Sequence, residues 1–218
     1  MRLQREGESI LGAAAAIALA IVLQYLLPRR VTDYQRWVFP VVALVLLLSL
    51  GLPVLITNHG RLTQPSRRLR ILMFLTVVVM AAANTAAAWR LVRDLVQSEG
   101  IQSPGRLLFA GAAIWLTNVI VFALVYWIFD RGGPAARFLV KDTPPDLLFP
   151  QHVTTREHEL WEPVFFDYFY TSFTAAAAFS PTDVMPLSRW AKLAMMVESS
   201  VSLVLAILVV ARAVNILD

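Results

Sequence analysis

Hydropathy alternates along this 218-residue chain on the scale of whole helices. Four apolar runs, Ile10–Leu27, Val38–Thr57, Leu69–Trp89 and Leu107–Phe129, reach the roughly 18 residues that mark a transmembrane helix. A fifth, Trp190–Leu217, is long enough but carries Glu198 and, near its end, Arg212. Between the fourth and fifth runs lies a shorter one of a different kind. Residues 163–180 open with Asp167, tyrosines and phenylalanines and pass through the hydroxyls Thr171, Ser172 and Thr174. They become strongly apolar only over Phe173–Phe179, about two turns. Ser180-Pro181-Thr182-Asp183 then ends the helix. The residue before a proline is pushed out of the helical region, and proline itself has no N–H. Pro186 breaks the chain again, and Ser188 is a good N-cap for the last helix.

This gradient predicts a half-helix that enters with an aromatic collar and ends at mid-depth. Irregular backbone at that depth is tolerated only where protein buries it or where it lines a wet cavity. The carboxyl end of such a helix turns about half a negative charge toward the membrane centre. With the oxygens of Ser180 and Thr182 and the Asp183 carboxylate at its mouth, the segment describes a cation pathway. The expected fold is an all-α integral membrane protein. It has five transmembrane helices plus a re-entrant pore helix and filter-like loop between the last two; six full spans are the alternative. Residues 1–106 form a three-helix N-terminal membrane region and residues 107–218 a pore-like module. Within the module the outer helix is 107–129, the cap loop 130–163, the pore helix 164–178, the filter-like loop 178–186 and the inner helix 188–217.

Composition agrees that the solvent is lipid. Hydrophobic residues are 58% and charged residues 16% of the chain, where a soluble domain carries about 25% charged. Mean hydropathy is +0.64. Five or six spans with short loops use nearly all 218 residues, so the expected location is the cell (plasma or bacterial inner) membrane. The first run is followed by Pro28-Arg29-Arg30, not a small-residue cleavage site, which predicts a retained helix. There is no cysteine, hence no disulfide and no thiolate metal site. The net charge of +4 suits anionic lipid headgroups, and no basic, aromatic-interleaved patch points to nucleic acid. No soluble partner is identifiable.

Candidate chemistry is sparse. His152, Glu157, His158, Glu159 and Glu162 cluster in the cap loop but match no metalloprotease-type spacing and read as a solvated face. No metal, cofactor or catalytic group is expected, only permeating monovalent or divalent cations, and no enzyme activity. The runs GAAAA at 12–16, AAANTAAA at 81–88 and GAA at 111–113 predict close helix packing. Asn84, Thr85, Thr117 and Asn118 are expected to bond between helices, and Pro40 and Pro53 to start and kink the second. Phe138, Leu147, Leu148, Phe149 and Trp161 are apolar anchors that should pack the cap loop down. Glu198 has two readings. It lines a pore with Thr174 and Ser202, or it braces the pore-helix hydroxyls from behind.

From Leu107 to Leu217 the order of segments resembles the outer helix, pore helix, filter and inner helix of the tetrameric potassium-channel superfamily. There the filter reads T-V-G-Y-G-D, followed by a proline and often by W-G-R-L. Ala178-Phe179-Ser180-Pro181-Thr182-Asp183 falls over the filter, with Pro186 and Trp190–Leu193 (WAKL) in register. FDYFYTSFTAAAAFSPTDVMPLSRWAKL also resembles an uncharacterised bacterial multi-span membrane protein family, which implies no activity. The channel resemblance implies a homotetrameric pore-loop cation channel, with ions passing residues 178–183. The departures narrow it. Ser180 and Thr182 stand at the two glycine positions and Pro181 at the tyrosine, so the alternating φ of a potassium filter cannot form. The expectation is a wider, weakly selective or Na⁺/Ca²⁺-permeable filter.

Charge patterning opposes the orientation that this resemblance implies. With the filter outside, seven Lys and Arg lie inside and twelve outside, against the positive-inside rule. An inverted pore, or six full spans at eleven inside and eight outside, restores it. Two other functions fit the sequence: a six-helix transporter with Asp183 and Glu198 as coupling carboxylates, and a non-conducting structural or partner-binding membrane protein.

Overall fold

The computed structural model describes residues 8–28, 40–41, 44–45, 48, 61–62, 67–97, 103–139, 144–154, 161–177 and 183–217. Among the described residues the long helices are α1 (Leu11–Leu26), α2 (Arg67–Val96), α3 (Pro104–Phe129) and α7 (Arg189–Leu217). Three shorter ones, α4 (Pro134–Leu139), α5 (Gln151–Thr154) and α6 (Phe165–Ala177), lie between α3 and α7. Among the described residues three helical stretches, Arg70–Leu95, Pro104–Gly132 and Arg189–Asn215, are long and apolar enough to cross a membrane. α1 is a shorter apolar helix. Of the expected second span, Val38–Thr57, positions 40, 41, 44, 45 and 48 are helical and the rest lies outside the described residues.

Boundaries follow local chemistry. α3 begins at Pro104, where a missing N–H costs nothing. α7 begins after Ser188, whose Oγ accepts the Ala191 N–H at 3.4 Å, as expected of an N-cap. α6 follows Pro163, and the Asp167 carboxylate accepts the Val164 N–H at 2.8 Å, half of a capping box.

α3 is the centre of the bundle and the most enclosed of the three long apolar helices, with α1, α2, α6 and α7 packed around it. Small residues allow close approach, as the alanine- and glycine-rich runs predict. A Cβ on Gly111 would lie 2.7 Å from Val209 Cγ1, so the Val209 side chain of α7 packs directly onto the α3 backbone there. Gln24 donates to Asn84 at 3.3 Å between α1 and α2. Asn118 donates to Ser202 at 3.1 Å between α3 and α7. Thr117, by contrast, bonds its own helix at Ala113 O, and Thr85 is exposed.

Two apolar clusters mark the two ends of the bundle. One joins Ile10 and Ala13 of α1, Met73 and Val77 of α2, Trp127 and Ile128 of α3, Phe165 of α6 and Ala191 of α7. The other joins Leu27, Leu91 of α2, Leu107 of α3 and Ala213 of α7. α1, α2 and α7 therefore run one way and α3 the other. Strand β1 (Glu8–Ser9) pairs antiparallel with β2 (Arg61–Leu62) at the first end. At that same end β3 (Leu147–Leu148) pairs with β4 (Met185–Pro186), with Leu147 opposite Pro186. The chain thus enters both α6 and α7 from the end at which α3 finishes, called the cap end below.

Candidate functional site

α6 is 13 residues long, about 20 Å at 1.5 Å per residue. It descends beside α3 and α7 from the cap end. Phe165, Tyr168, Ser172, Ala175 and Ala176 recur at helical spacing and are buried, whereas Phe166, Tyr170 and Phe173 face outward. At its foot Trp115 meets Phe173 edge to face, with ring centroids 5.5 Å apart. Trp115 lies near the middle of Pro104–Phe129, so α6 reaches about half the depth of α3.

A polar cluster holds this deep end. Glu198 is fully buried between α3, α6 and α7. The Tyr126 hydroxyl donates to Glu198 Oε2 at 2.6 Å, and Ser172 Oγ makes a short contact with Oε1. Ser172 Oγ also lies 2.7 Å from Val119 O, and it has one proton to give. If that proton goes to Val119, the contact with Glu198 requires a proton on the carboxyl. A neutral Glu198 then satisfies all three groups without a buried charge. Among the described residues no cationic side chain is hydrogen-bonded to Glu198. Ser199 Oγ donates to Ala175 O at 2.9 Å, serving one of the carbonyls that a helix end leaves unpaired.

The sequence-derived site residues fall in three places. Glu198 and Ser202 are enclosed within the chain beside α6, with Glu198 in contact with the α6 hydroxyl of Ser172. Thr174 is half-buried and bonds back to Tyr170 O and Thr171 O, each at 3.0 Å. Asp183 is exposed near the start of β4, with the Tyr170 hydroxyl 3.4 Å from its Oδ2. Ala178, Phe179, Ser180, Pro181 and Thr182 lie outside the described residues.

The cap end carries a second polar cluster that the sequence did not reveal. Asp130, fully buried at the end of α3, accepts the Tyr168 hydroxyl at 2.6 Å and the Asp146 N–H at 2.9 Å. Asp146 in turn accepts the Arg131 N–H at 3.2 Å and the Trp190 indole N–H at 2.9 Å. Its carbonyl accepts the Leu187 N–H at 2.8 Å. Arg137, also fully buried, donates to Trp127 O at 2.7 Å and lies 4.9 Å from the centroid of the Tyr168 ring. It combines a C-terminal helix cap with a cation–π contact. Arg131 pairs with Glu162 at 2.6 Å.

A tight turn makes this convergence possible. Arg131, Gly132 and Gly133 have φ of 49°, 80° and 102°, and a Cβ on Gly133 would lie 2.9 Å from Ile128 O. The Asp-Arg-Gly-Gly string at the end of an apolar run was the available signal.

Leu147 and Phe149 are buried as anchors, and Phe149 and Trp161 enclose the His152 ring. The Phe149 N–H donates to His152 Nδ1 at 3.2 Å. Burial, followed by the nearby Arg131 charge, lowers the His152 pKa, with Asp130 opposing. Of the His/Glu cluster expected to be a solvated face, His152 and Glu162 are therefore packed and paired, and 157–159 lie outside the described residues. No group of three or more His, Cys, Asp or Glu able to hold a metal occurs among the described residues.

No protein-family model, curated protein or solved structure matches this chain. The functional reading therefore rests on the arrangement itself. A half-depth helix is pinned at its deep end by Glu198 and at its shallow end by Asp130. Its chain returns to the same end, where Asp183 is exposed.

Proposed function

We propose that this chain is a homotetrameric, cation-permeable channel of the cell membrane. In this reading α6 is its re-entrant pore helix and residues 178–183 are its filter. One observation carries it. α6 is about 20 Å long against a hydrocarbon core of about 30 Å, and α6 and α7 both start at the cap end. A half-helix with the following chain doubling back is the pore-loop topology. Its carbonyl end directs partial negative charge to mid-depth, and Asp183 supplies a carboxylate at the mouth. With Ser180, Pro181 and Thr182 in place of the glycine-bearing filter, the pore is weakly selective or Na⁺/Ca²⁺-permeable, not strictly K⁺-selective. One feature favours a second reading, a non-conducting structural or partner-binding membrane protein: the mid-depth cluster closes its hydrogen bonds within one chain.

Single-channel recording of purified protein in bilayers separates the two. The channel reading expects a tetramer with cation current, and Asp183→Asn lowers both conductance and cation-over-anion preference. A monomer, or silence at every voltage, pH and Ca²⁺ concentration, removes it.

A further inference from the structure

The two ends of the bundle differ in charge. Among the described residues the cap end, where β2, the starts of α2 and α7 and the end of α3 meet, holds eight Lys and Arg residues, and the far end holds four. Two of the eight, Arg131 and Arg137, are engaged inside the cap cluster. Setting them aside leaves six against four. Exposure sharpens the contrast. Among the described residues Arg67, Arg68, Arg70, Arg189 and Lys192 are exposed at the cap end, against Arg93 and Arg106 at the other. Arg212, at the far end, is half-buried and bonds Asn215.

We infer that the cap end is the cytoplasmic end, seated on the anionic headgroups of the inner leaflet, so that the Asp183 mouth opens inward. Exposed Lys and Arg beside short connections are retained on the cytoplasmic side during insertion and are attracted to its anionic lipid surface. This orientation is the reverse of the one implied by the resemblance to potassium channels. The word mouth rests on the re-entrant reading; the sidedness of the two ends does not.

The cysteine-free chain gives a direct test. Leu187→Cys replaces an exposed side chain between β4 and α7. Gly105→Cys adds a Cβ with nothing within 4 Å at the far end. Each variant is expressed in a bacterial host and treated with a membrane-impermeant maleimide, in intact spheroplasts and after permeabilisation. Gly105→Cys is expected to label in intact spheroplasts, and Leu187→Cys only after permeabilisation. The reverse pattern, or labelling of both in intact spheroplasts, overturns the inference. Sidedness is read without any current, so a silent protein with the expected labelling removes the channel and leaves the orientation standing.

Discussion

The deep anchor of α6 is open to a quantitative test. Glu198 accepts from Tyr126 at 2.6 Å and touches Ser172, whose own proton is placed to reach Val119 O at 2.7 Å. A neutral carboxyl in that geometry is replaceable by a carboxamide. Gln offers an oxygen to Tyr126 and an N–H to Ser172, so Glu198→Gln is expected to change stability by less than about 0.5 kcal/mol, within the range of unremarkable substitutions. Glu198→Leu keeps the volume but removes both contacts. Ser172 retains Val119 O, whereas the Tyr126 hydroxyl is left buried and unpaired, which costs about 1–3 kcal/mol. Interhelical hydrogen bonds in membranes average about 0.6 kcal/mol and reach about 1.7, so the lower half of that range is expected.

The double variant Tyr126→Phe/Glu198→Leu removes donor and acceptor together and recovers most of the loss. The expected coupling is about 1 kcal/mol, where independent sites would add to within about 0.3–0.5. Reversible unfolding of the four proteins in mixed micelles measures it. Two results refute the reasoning: Glu198→Gln as damaging as Glu198→Leu, which requires an ionised carboxylate, and an additive cycle, which removes the coupling to Tyr126.

Two further outcomes probe the cap. His152 is held neutral, with a pKa below its ordinary 6.5, chiefly by burial and then by Arg131. The unfolded chain therefore takes up a proton first on acidification. Stability should be full above about pH 6.5 and fall as pH drops through and below it, and His152→Phe should flatten that slope in a thermal-shift series. Gly133→Ala places a methyl 2.9 Å from Ile128 O at φ 102° and should cost about 1–3 kcal/mol. Gly105→Ala, with nothing within 4 Å, should be neutral or mildly stabilising in the same assay.

The long apolar helices were legible because run length and the proline and serine punctuation are local signals. That a short helix separates α3 from α7 was legible for the same reason: Phe173–Phe179 is too short an apolar stretch to cross lipid, and Pro181 predicts a stop close after it. Which way α7 faces was not legible. Ala191, Glu198, Ser202, Leu205, Val209 and Ala213 share one buried face, but Leu193, Met196, Val204 and Ile207 on the exposed faces are as apolar as the buried ones. A helix in lipid carries no polarity gradient that says inside from outside. The cap cluster was hidden for another reason. Asp130, Asp146, Tyr168 and Trp190 meet over sequence separations of 16 to 44 residues, and no periodicity links them.

The conflict between charge and topology can now be placed. Six full spans restore the positive-inside rule by sending α6 across the membrane, so that Trp190 would begin α7 on the face opposite Asp146. Those faces are about 30 Å apart. The Trp190 indole N–H lies 2.9 Å from Asp146 Oδ1, the Leu187 N–H lies 2.8 Å from Asp146 O, and Leu148 pairs with Met185. These contacts and a full crossing between them cannot both hold. Of the two ways to satisfy the charge rule, the cap contacts favour the one proposed above, in which the bundle keeps α6 as a half-helix and inverts. Under that proposal the likeness to potassium channels would extend to the order of segments but not to their sidedness, because exposed arginines such as Arg67, Arg68 and Arg189, which lie outside residues 178–183, would set the sidedness.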